Sequence, residues 1–96
     1  MSFLDLFRRK KVDPEAARRA RLRTTGRIAD GSILDVTSDA AQAITHVFYC
    51  YTVNSVEYES SQQLDQEQLT HSADYFPGAH ITVRYDPRQP GNSIVV

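Results

Sequence analysis

The stretch ITHVFYCYTVNSVEYESSQQ, residues 44–63, constrains the fold more than any other part of the chain. Two runs rich in β-branched and aromatic residues flank Asn54-Ser55, the pattern of a hairpin with a two-residue turn. Such a turn fixes the register: Tyr51 falls opposite Tyr58 and Val53 opposite Val56. Because side chains alternate along a strand, Val47, Tyr49, Tyr51, Val53, Val56 and Tyr58 share one face, taken as the core face. The other face carries His46, Phe48, Cys50, Thr52, Glu57 and Glu59, a half-polar mixture. Aromatic and β-branched cross-strand pairs stabilise such ribbons by roughly 0.2–1 kcal/mol each.

The rest of the chain extends this β texture. GRIADGSILDV, from Gly26, reads as a long first strand with a bend or bulge at Asp30-Gly31, and SDAAQA as a loop. Asp65 followed by Gln68 resembles a capping box and predicts a short helix over 66–74. Pro77-Gly78 turns the chain. Ile81, Val83 and Tyr85 then alternate with Thr82 and Arg84 as a fourth strand, and SIVV follows as a fifth. Asp86, before Pro87, is assigned a turn role in which its carboxylate accepts backbone N–H groups. The order β-β-β-α-β-β predicts a mainly β fold: a small five-stranded antiparallel barrel, OB-like or SH3-like, with a short helix between strands 3 and 4.

Helices are expected before the barrel. Phe3, Leu4, Leu6 and Phe7 fall on one face of a first helix over 2–11. Asp13-Pro14-Glu15 supplies a cap, a proline at the first helical position and an acid in the first turn of a second helix running to about Leu22. Its apolar side is only Ala16, Ala17 and Ala20, which predicts a spacer or close-packing helix. The organisation expected is a basic amphipathic segment over 1–23 and a barrel over 24–96. A β body of that size is marginal on its own, so help from the helices or a second copy is expected.

The net charge of −1 conceals a division. Residues 1–27 hold nine basic residues and three acids, whereas residues 28–96 hold two arginines and nine acids. Such asymmetry points to an anionic surface as partner of the basic part, or to attraction between the two halves. Cys50 is the only cysteine, which excludes an intrachain disulfide and suits a small buried apolar residue. No apolar run reaches the roughly 18 residues of a membrane span. In MSFLDLFRRKK the basic residues follow the apolar ones and Asp5 interrupts them, unlike a secretory signal. A cytoplasmic location, peripheral at most to the inner face of the membrane, is the expectation.

The motifs YCYTVNSVEY and PGAHITVRYDPRQPGNSIVV resemble a bacterial family known as domain of unknown function 3592. Its members show a Y-x-Y-x-V-N-G-x-x-Y hairpin and a G-x-x-V-x-V-x-Y-D-P-x-x-P close, and the resemblance covers roughly residues 26–96. Many relatives carry transmembrane helices beside the barrel, which implies a domain that works at a membrane. Two departures stand out: Ser55 replaces the usual turn glycine, and MSFLDLFRRKK with the alanine helix stands in place of flanking hydrophobic helices. The resemblance implies a fold and brings no catalytic residue.

Chemistry is sparse. His46, His71 and His80 show no paired spacing, no cysteine pair joins them, and no glycine-rich phosphate loop or nucleophile elbow occurs. Glu57 and Glu59 share a strand face and read as solvated. No catalytic, cofactor or metal residues are assigned, no small-molecule substrate is indicated, and no enzyme activity is expected. Nucleic acid is the weakest partner reading: the barrel has Phe48, Tyr49, Tyr51, Tyr58, Tyr75, Phe76 and Tyr85 for stacking, but its acidic balance repels phosphates, which leaves the basic N-terminal arm to make sequence-independent phosphate contacts. The expected contact element is Phe3, Leu4, Leu6, Phe7, Arg8, Arg9, Lys10 and Lys11. That segment can face an anionic membrane, a groove on a protein partner or second copy, or the open end of its own barrel. The function expected is therefore a non-enzymatic interaction module.

Overall fold

The computed structural model describes residues 14–96. Helix α1 (Pro14–Thr25) leads into β1 (Arg27–Ser38), β2 (Ile44–Val53), β3 (Val56–Gln63), the one-turn α2 (Gln66–Leu69), a 3₁₀ turn (Ser72–Asp74), β4 (His80–Asp86) and β5 (Gln89–Val95). All strands are antiparallel, in the order β3-β2-β1-β4-β5. In this Greek-key order, a meander of three strands is followed by a fourth that returns to lie beside the first. The edges β3 and β5 approach one another, so the sheet forms a nearly closed barrel. The expected five-stranded barrel, with its helical insertion between strands 3 and 4, is therefore the fold.

The hairpin has the register that its turn dictates, from Val53 opposite Val56 through Tyr51 opposite Tyr58 to His46 opposite Gln63. Asn54 and Ser55 both take positive φ, 50° and 68°, which matches the right-handed twist of the flanking strands. Val47, Tyr49, Tyr51 and Val53 are buried and Tyr58 packs half-buried against them. Val56 departs from the expected core face: at the hairpin tip it is 51% exposed. Ile33, Leu64, Tyr75, Ala79, Ile81, Val83 and Val95 complete the core. Around Tyr51, the rings of Tyr49, Tyr58 and Tyr85 stack with centroids 5.9, 5.6 and 6.5 Å away.

β1 is the hub, pairing through Arg27–Ser32 with β4 and through Gly31–Ser38 with β2. Its register with β2 shifts between Ile33 and Asp35 and again between Thr37 and Ser38, and no bulge falls at Asp30-Gly31 where the sequence pointed. Gly31 serves another need. A Cβ there would stand 2.6 Å from the Cys50 carbonyl oxygen and 3.1 Å from Val83 Cγ2, at the point where β1 is paired on both sides. The extra residue at Leu34 re-aims the strand after that crossing.

The expected helix over 66–74 divides in two. The capping box is present: the Asp65 carboxylate accepts the Gln68 N–H at 2.8 Å, and Gln68 Oε1 accepts the Asp65 N–H at 3.1 Å. The α-helix ends after a single turn, and the Ser72–Asp74 turn carries the chain to the buried Tyr75. Asp86 Oδ1 accepts the Arg88 N–H at 2.8 Å, the turn role assigned to it.

Helix α1 runs three residues beyond the expected end at Leu22. Leu22 is 3% exposed, and the Gly26 N–H donates to its carbonyl at 2.8 Å. Arg84 Nη1 donates to the Gly26 carbonyl at 3.0 Å, placing a cation where the helix dipole favours one. The helix is thus packed on the barrel and is not a mere spacer. The proposed cap Asp13 and the first helix over 2–11 lie outside the described residues.

Candidate functional site

The barrel's weakest joint is the seam between β3 and β5, which no backbone ladder bridges. In an antiparallel ladder alternate residues turn their backbone groups away from the partner strand. Val95 does so beyond β4, and a side chain meets it. Gln62 Oε1 accepts the Val95 N–H at 2.9 Å, and Gln62 Nε2 donates to the Val95 carbonyl at 3.4 Å. The Gln68 amide also donates to that carbonyl, at 2.9 Å, and its oxygen takes a 3.2 Å bond from Gln62. Both glutamines are 5% exposed. The reciprocal pattern fixes which end of each amide is oxygen. From β2, behind the seam, the Tyr49 hydroxyl pairs with Ser93 Oγ at 2.8 Å and Tyr51 donates to the Pro90 carbonyl, both on β5.

Helix α1 lies across this joint and grips both sides. Arg18 Nη1 donates to Asn92 Oδ1 at 2.8 Å and to the Ser93 carbonyl at 3.0 Å, both on β5. Arg19 donates to the Gln63 carbonyl at the end of β3, at 2.9 Å, and Arg23 pairs with Asp65 at 2.9 Å. Glu15 organises the first two arginines, accepting from Arg18 and from Arg19 at 2.9 and 2.6 Å. Those hydrogen bonds, Arg18's foremost, hold the Glu15 carboxyl down to about 2 against a partial desolvation that opposes them. Arg18 is correspondingly raised. Three of the arginines of the N-terminal half are therefore engaged with the barrel, though only Arg23 meets a barrel acid; Arg18 and Arg19 find their carboxylate in Glu15 of the same helix.

The other two described arginines of that half, Arg21 and Arg27, are exposed. Arg21 lines a cleft of about 410 Å³ between α1 and the β4–β5 turn. Arg18, Arg21, Leu22 and Thr25 form its helical wall; Asp86, Pro87, Arg88 and Asn92 form the other.

The candidate contact residues Phe3, Leu4, Leu6, Phe7, Arg8, Arg9, Lys10 and Lys11 all lie outside the described residues. The histidines are apart: His46 beside Thr45, His71 against Asp74 at 3.5 Å and the Tyr75 ring, and His80 at the start of β4. Among the described residues no three His, Cys, Asp or Glu side chains group to hold a metal ion. Cys50, expected to be buried, is half-buried with Ser32 Oγ 3.4 Å from its sulfur. Glu57 and Glu59 are exposed. Sequence reasoning missed the glutamine seam and the cleft, because both join segments far apart in the chain.

Among the described residues no helix is long and apolar enough to cross a membrane. No curated protein and no solved structure matches the chain. Residues 24–96, which comprise the barrel and the end of α1, match the family DUF3592, described as a domain of unknown function, and the chain belongs to that family.

Proposed function

We propose that the protein is a non-enzymatic interaction module whose N-terminal side faces an anionic membrane surface. The observation that carries this reading is the fixing of α1 across the seam by Leu22, Arg18, Arg19 and Arg23. The segment holding Phe3, Leu4, Leu6, Phe7 and the basic run Arg8–Lys11 is joined directly to that helix. The helix that follows this segment in the chain is thereby held firmly on the barrel. Apolar residues beside basic ones suit an interface, and each cation near an anionic leaflet contributes about 1 kcal/mol. The test is co-sedimentation of the full chain with vesicles of phosphatidylglycerol or of phosphatidylcholine, compared with an F3S/F7S variant. Binding to the anionic vesicles alone, weakened by salt and lost in the variant, is expected; equal behaviour of the two proteins refutes the reading.

A second reading, docking on a protein partner, is favoured by one observation. The β1 bulge sets Leu34 next to the pairing position of Phe48, and these outward side chains are 47% and 42% exposed. Under this reading an F48S variant changes molar mass in solution or partner capture while vesicle binding is untouched.

A further inference from the structure

We infer that the cleft between α1 and the β4–β5 turn is a binding site for a phosphate group, borne by a lipid headgroup or free in solution. This goes beyond the membrane reading and does not depend on the segment before Pro14. The cleft has room for such a group, at about 410 Å³, and cationic side chains reach it from two directions. Arg21 comes from the helix and Arg88 from the turn, and both are exposed. Among the described residues neither guanidinium has a carboxylate partner. The neighbouring hollow lined by Glu15, Arg19, Arg23 and Asp65 differs in this respect, because its arginines are already paired with its acids.

Asn92 adds a third donor. Arg18 occupies its Oδ1, so the amide is oriented with its Nδ2 group remaining as a donor. Arg18 is itself balanced by Glu15. The one acid lining the cleft, Asp86, spends Oδ1 on the Arg88 N–H. Two uncompensated guanidiniums and an amide thus stand against one carboxylate. A single guanidinium fork satisfies both oxygens of a carboxylate ligand. Two forks and an amide suit a group with more acceptor oxygens and more charge, which is a phosphate. Buried Leu22 and exposed Pro87 add apolar surface to the walls of the cleft.

The experiment is a titration of the full chain with inorganic phosphate at constant ionic strength, followed by amide and arginine side-chain NMR. Saturable shifts at Gly26, Arg88 and Asn92 are expected. In R21Q and in R88Q the apparent affinity falls about tenfold each, the size of one lost charge-assisted contact. Both positions are exposed, and an otherwise unchanged spectrum verifies that each variant is folded. Phosphatidylglycerol vesicles at equal phosphorus concentration form the second arm. If they perturb the same amides at concentrations where free phosphate does not, the phosphate belongs to a lipid headgroup; if free phosphate saturates the site, it is a soluble group. Shifts that scatter, that chloride reproduces, or that R21Q and R88Q leave unaltered overturn the site. An F3S/F7S variant that loses vesicle binding yet keeps the phosphate shifts separates this site from the membrane reading.

Discussion

Replacing Gln62 with leucine removes the side chain that closes the barrel while keeping its volume. The Val95 N–H, in a residue with no exposed surface, then has no acceptor. An orphaned buried donor costs about 1–3 kcal/mol. The Val95 carbonyl keeps its 2.9 Å bond from Gln68, and Gln68 Oε1 keeps the Asp65 N–H, so no second orphan is added. With no cavity created, a net loss of about 2 kcal/mol is expected. For a domain of this size that lowers Tm by about 8–16 °C. Urea unfolding should show the midpoint falling with an unchanged slope, and hydrogen exchange at the Val95 amide should accelerate selectively. Q62E sharpens the test, since a carboxylate can accept the Val95 N–H but faces the Val95 carbonyl and Gln68 Oε1. It should be less stable than Q62L at neutral pH and recover as the pH falls and its carboxyl is protonated. If Q62L loses less than about 0.5 kcal/mol, the surface-substitution range, and Val95 protection is unchanged, then Gln62 does not close the seam.

Ser55→Gly places the residue suited to φ 68° in the hairpin turn and should raise stability by about 0.5–1 kcal/mol, read as a Tm increase of a few degrees. Leu22→Ala should cost about 2–4 kcal/mol in urea unfolding, since the side chain is buried; a loss within 0.5 kcal/mol would return α1 to the role of a spacer. The depressed Glu15 carboxyl contributes stability that is full above its unfolded value of 4.5 and lost as the pH falls toward about 2. Glu15 is half-exposed, so the contribution is at most about 1 kcal/mol. It should appear as a shallower loss of stability for Glu15→Gln than for the parent chain between pH 5 and 2.

The features legible in the sequence are those whose causes are local. A two-residue turn fixes the partner of every residue in the hairpin, so Tyr51 and Tyr58 could be paired from their spacing alone. The Asp65–Gln68 box and the Asp86 turn each involve atoms within three residues. Gln62 was illegible for the opposite reason. It sits in the polar run ESSQQ, which reads as a solvated strand end, while its partner Val95 is 33 residues away. Arg18 likewise resembles one charge among many on a basic helix until β5 comes within reach, 75 residues later. The bulge expected at Asp30-Gly31 falls instead at Leu34, and Gly31 is needed where β1 is paired on both sides, which is a property of topology and not of any short motif. The segment singled out for contact, Phe3 to Lys11, lies outside the described residues, and its role passes to experiment.

A continuous ladder of backbone bonds resists separation along its whole length, whereas a seam held by two amides and an overlying helix can open one contact at a time. Opening there leaves both hairpins, β2–β3 and β4–β5, intact and bares one unpaired edge on each. Bare edges are templates for pairing with another chain. The seam is therefore where strand exchange between copies, and aggregation on heating, would begin; α1 acts as the guard against both.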